Sequence, residues 1–211
     1  MSSTYQTILF IHIAAGTLSL LAGTGVIALH KGTPLHKTLG KIFVFAMLVA
    51  GISSLYMSIA KHLVFLFSIG LFSTYLTLSG LRALFLSGGT KFSTIDTLLN
   101  LYGITSSLVL AVLGINLFSE GFFFGLVPTV FGMVNATLTT LAAHAQWRKP
   151  ISNQRWLRHH AFRMAGAYTA SVTAFVVVNL SIEQQWILWL FPTALIIPLV
   201  RSQYARFVKA D

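Results

Sequence analysis

The sequence predicts an all-α integral membrane bundle of seven transmembrane helices, forming a single domain over residues 1–211, with its N-terminus outside and its C-terminus in the cytoplasm. Three observations predict it. Of the 211 residues, 55% are hydrophobic and only 9% are charged, where a soluble domain carries about 25% charged residues. Seven apolar runs recur along the chain, each near the ~20 residues a helix needs to cross the hydrocarbon. Every Lys and Arg except Lys61 falls beside alternate connections.

The runs are Ile8–Leu29, Ile42–Ala60, Leu63–Leu86, Thr97–Phe118, Phe122–Ala143, Ala161–Leu180 and Trp186–Val200. They do not alternate apolar with polar. Backbone groups in lipid must bond within the protein, so helices are expected rather than a barrel. No cation precedes the first run and no small-residue cleavage site follows it, so it reads as a retained helix and not a signal peptide. Thr33-Pro34 has the form of an N-cap followed by an N1 proline, which starts helix two near Pro34 and puts His36 in its first turn. Gly88 and Gly89 end helix three. Ser93 or Thr94 caps helix four, with Asp96 in its first turn. Pro128, Pro192 and Pro198 predict bends in helices five and seven.

Charge sets the orientation. Lys31, Lys37 and Lys41, then Arg82 and Lys91, then Arg148, Lys149, Arg155, Arg158 and Arg163, and finally Arg201, Arg206 and Lys209 share one side. The positive-inside rule makes that side cytoplasmic, which implies a bacterial inner membrane. Trp147 and Trp156 fall at the inner interface and Trp186 and Trp189 near the outer one, as aromatic belts. The formal charge of +10 then reflects topology and contact with anionic lipid, not nucleic acid. With no cysteine, any metal must be held by His, Met, carboxylate or backbone oxygen.

The seven histidines sort by depth. His12 lies about one turn inside the outer end of helix one, and His62 in the outer turn between helices two and three. His30, His36, His144, His159 and His160 lie at the inner face. Ionisable groups in lipid usually face the bundle interior. His12-x-x-x-Gly16 and His36-x-x-x-Gly40 echo one another, and His160 is followed one turn later by Met164. A glycine one turn from a histidine lets a flat macrocycle approach, as a b-type haem held from two helices requires. In that reading His36 and His160 are the inner ligands, and His12 with His62 the outer ones. Arg158, Arg163 or Lys37 would pair with the propionates. Small-xxx-small faces are also ordinary helix packing. A second constellation is His36, His144, His160 and Asp96 as a zinc or copper site. The absence of H-E-x-x-H and of a second carboxylate disfavours hydrolysis. A third class is a cofactor-free carrier or assembly partner, with Asn100, Asn116, Asn135 and Asn179 lining a polar path. No Asp, Glu, Lys or Arg falls mid-span, where ion-coupled carriers usually keep one.

These residues give a family resemblance. His12-Ile-Ala-Ala-Gly16, His36-Lys-Thr-Leu-Gly40-Lys41 and His160-Ala-Phe-Arg-Met164 followed by Tyr168 resemble a family of bacterial predicted membrane proteins of unknown function. Gly166 stands where that family usually has arginine and Ala161 where it has a basic residue, with Arg163 a candidate substitute. The resemblance implies that His12, His36 and His160 matter, and supplies no activity. A looser likeness, of arrangement alone, is to two-haem membrane cytochromes, which implies electron transfer with a redox partner or quinone.

Overall fold

The computed structural model describes residues 3–88, 91–147 and 152–210, apart from the side chains of residues 145–147, 203, 204 and 206–210. Expectations for Arg148 and Lys149, and for the side chains of Trp147, Arg206 and Lys209, lie outside the described residues. Among these residues the regular structure is helical: α1 (Ser3–Ala28), α2 (Pro34–Ala60), α3 (Val64–Ser87), α4 (Thr94–Ser119), a 3-10 turn at Phe123–Gly125, α5 (Leu126–Trp147), α6 (Asn153–Asn179) and α7 (Gln185–Ala210). Seven of these are long and apolar enough to cross a membrane.

Most helices overrun their apolar runs, because polar caps stand outside the hydrocarbon. Thr33 caps α2, its Oγ1 accepting the His36 N–H at 3.3 Å, with Pro34 in the first turn. Asp96 Oδ2 accepts the Ser93 N–H at 2.8 Å at the start of α4. Pro128 falls in the first turn of α5, where its missing N–H costs no helical bond; Pro192 and Pro198 are inside α7. α6 begins eight residues before Ala161, and α7 runs ten residues past Val200. At the junction of α1 and α2, Lys31 Nζ donates to the Val26 and Ile27 carbonyls at 3.0 and 3.2 Å. This tethers the last turn of α1, and burial pushes the ammonium below its ordinary value.

The bundle is organised around α3. Its membrane window is 56% buried, against 17–33% for the other six, and α2, α4 and α6 pack against it. α1 lies on α2 and reaches α6, α5 on α4, and α7 on α6. The cause is composition: Ser68, Gly70, Ser73, Thr74, Thr77, Ser79 and Gly80 are all buried, and small residues let helix backbones approach closely. Most of these hydroxyls bond back into their own helix, as Ser68 does to Val64 O and Thr77 to Ser73 O.

The tryptophans expected in the aromatic belts make ring contacts between helices. Trp156 is buried against Ala83 and Leu86 with Phe92 edge-on. Trp189 is buried edge-on to Phe65 and Phe124, and Trp186 to Phe123. These rings pack between helices, Trp156 near the start of α6 and Trp186 and Trp189 in the first turns of α7.

Candidate functional site

His160 is carried two turns into α6 and meets α3. Its Nδ1 lies 2.9 Å from the Gly80 carbonyl. A carbonyl only accepts, so Nδ1 carries the proton and Nε2 keeps its lone pair. The approach requires Gly80 to be glycine: an added Cβ would meet Met164 Cε at 2.9 Å and Arg163 Cβ at 3.0 Å. Met164 thus lies against Gly80, one turn beyond His160. Sequence reading missed Gly80; its signal was the run of small residues in α3.

His36 Nδ1 is buried with no hydrogen-bond partner, while the ring meets the Val26 carbonyl and lies within electrostatic reach of Lys31 and, more weakly, His160. Two of the five histidines expected at the basic end, one from α2 and one from α6, thus lie within electrostatic reach of each other. Beside them, Gly40 would meet nothing within 4 Å if given a Cβ, so one flank of α2 is open next to His36.

His12 repeats the His160 device at another depth. Its Nδ1 lies 3.0 Å from the Ala50 carbonyl and 3.0 Å from Ser53 Oγ, so it too donates to a backbone oxygen of a neighbouring helix. α1 begins at Ser3, which puts His12 about 13 Å inside its end at 1.5 Å per residue, deeper than the single turn expected. Gly16 also meets open space, whereas the ring edge of Tyr168 and Phe43 fill the position above Gly23.

Other expected residues are placed elsewhere. His62 is exposed and left-handed at φ 54°. It stands nine residues along from Ser53, about 13 Å by helical rise, so it does not join His12. His144 is exposed in the last turn of α5. Asp96 is held by Arg82, Nε to Oδ1 at 2.8 Å and Nη2 to Oδ2 at 2.7 Å, and its remaining capacity caps α4. The set His36, His144, His160 and Asp96 is thus not assembled: among the described residues no three His, Asp or Glu are grouped to hold a metal. His159 Nδ1 accepts from Arg163 Nη1 at 2.9 Å.

Arg163, expected at the start of the sixth run, lies deeper in its helix than that run suggested. It is 1% exposed, and α6 starts ten residues earlier, about 15 Å away along the axis. Gly166, where the resembling family has arginine, would carry a Cβ 3.1 Å from Leu76 Cδ1; α3 packs too closely there for a long side chain.

Residues 9–87 match the model of a family described as a predicted membrane protein, DUF2306, which has no known function. The match spans α1 to α3 and includes His12, His36 and Gly80, but not His160. No curated protein and no solved structure matches the chain.

Proposed function

We propose that this multi-pass membrane protein holds a redox centre, haem b, between His36 and His160 in the bacterial inner membrane, with the basic end facing the cytoplasm. The observation that carries the reading is the His160 tautomer. Histidines that ligate a metal almost always donate their other ring N–H to a carbonyl or carboxylate, and His160 Nδ1 donates to Gly80 O at 2.9 Å with Nε2 left to ligate. His36 adds a buried, unpartnered ring nitrogen within reach, and Gly40 leaves the flank of its helix open to a planar group. Bound haem would supply one-electron chemistry in exchange with a redox partner or quinone. His12 is a second such imidazole at another depth: it meets Ser53, which stands seventeen residues or about 25 Å along α2 from His36.

The test is the optical spectrum of protein purified after expression with added haem precursor. A Soret band that shifts on reduction is expected, lost in His36→Ala and in His160→Ala. Its absence from the unsubstituted protein ends the haem reading.

A second reading is a copper or zinc ion on the same two imidazoles. Met164 favours it, since a thioether one turn from His160 and packed at Gly80 adds a soft donor suited to Cu(I). Metal analysis by mass spectrometry, with the same two variants, separates it from haem.

A further inference from the structure

Three residues beyond His160, α6 buries a cation that the histidine site does not use. Arg163 Nη2 donates to the Leu138 carbonyl at 2.9 Å and Nη1 to His159 at 2.9 Å, while Nε is buried with no partner. Neither acceptor is a carboxylate, and the other polar side chain against the guanidinium is the Tyr75 phenol. Among the described residues the carboxylate of this region, Asp96, is matched by Arg82 at 2.7 Å. A guanidinium keeps its charge, and a buried charge without a counter-ion is strongly unfavourable. The position therefore calls for an anion.

There is room for one. Arg163 lines a cleft with Tyr75, Ser79, Asn100 and Trp156, and the Arg82–Asp96 pair also lines it. The pair cancels its own charge, which leaves the cleft net positive through Arg163. It offers about 20 Å³ to water-sized groups, enough for one or two of them. That suits the oxygens of one oxyanion and excludes a whole metabolite.

We propose that this cleft binds a carboxylate or phosphate oxyanion on Arg163, with the Asn100 amide as a further donor. The oxyanion is either a free small anion or the headgroup of an anionic lipid entering from the basic end. The site does not depend on the histidine centre.

The test is thermal melting of the purified protein in uncharged detergent, against sodium acetate and sodium phosphate at ionic strength held constant with chloride. Native mass spectrometry from phosphatidylglycerol and phosphatidylcholine nanodiscs runs beside it. The expected result is a saturable rise in Tm with a free oxyanion, or phosphatidylglycerol retained selectively; which of the two appears identifies the source. Arg163→Met should abolish the response, and Asn100→Leu should raise the half-saturating concentration at least tenfold. His160→Ala should leave it unchanged. No response from the unsubstituted protein, or a full response from Arg163→Met, overturns the proposal. If Arg163→Met does not fold, Asn100→Leu decides: an undiminished response overturns it and a weakened one supports it.

Discussion

The phenol of Tyr168 meets the Thr24 hydroxyl at 2.9 Å, and the edge of its ring occupies the space that a side chain at Gly23 would need. This joins α6 to α1 across the bundle. A few residues further along, Ser19 and Ser171 lie 2.9 Å apart and Ser171 donates to Met47 Sδ, so α1, α2 and α6 share one polar seam. The small face of α1 is thus partly packing, at Gly23, and partly open, at Gly16.

Gly23→Val should lower stability by about 1–3 kcal/mol, the usual cost of overpacking. Tyr168→Ala should lower it too, by leaving a cavity. The double variant should recover part of the loss, because each change makes room for the other. Thermal melts of the four proteins in one detergent check this; strict additivity would place the two residues out of contact.

His160→Gln separates the two roles of His160. A glutamine amide can still donate to the Gly80 carbonyl but offers a far weaker ligand. Its stability should stay within about 1 kcal/mol of the parent, whereas His160→Ala leaves a buried acceptor unpaired and should cost about 1–3 kcal/mol. Any haem or metal signal should vanish in both, as absorbance and metal content would report.

Asp96→Asn should be more damaging than its position near a connection suggests. Asp96 is 4% exposed and Arg82 13%, and removing one member of a buried ion pair costs about 3–5 kcal/mol. Arg82→Met with Asp96→Asn should restore most of that loss. Melting curves of both single variants and the pair give the answer.

His62→Gly should be neutral or stabilising. His62 is exposed at φ 54°, a left-handed backbone that glycine adopts without steric penalty. A gain of up to about 1 kcal/mol is expected, with the optical spectrum and metal content unchanged. A lost signal in this variant would return His62 to the ligand set.

The histidines show how far residue pattern reached. That His12, His36 and His160 face the protein was readable from an imidazole set among apolar neighbours. Their protonation geometry was not, because it depends on the Ala50 and Gly80 carbonyls, 38 and 80 residues away. The metal tetrad failed for a related reason. Residues grouped by depth alone are unrestrained around the bundle, and Asp96 was already committed to Arg82 on α3. Arg163 was named, but its burial was not foreseen, because the apolar run began at Ala161 while the helix itself began at Asn153 and carried the cation inside.

By itself the sequence determined seven helices, their order and their basic end, since apolar length, caps and charge placement act locally and in one dimension. Only the tertiary structure decided that α3 is central, that His36 and His160 come within electrostatic reach of each other, and that Arg163 is buried without a carboxylate. Those facts depend on how each helix is rotated about its axis, and rotation is set by close contact between small residues far apart in the chain.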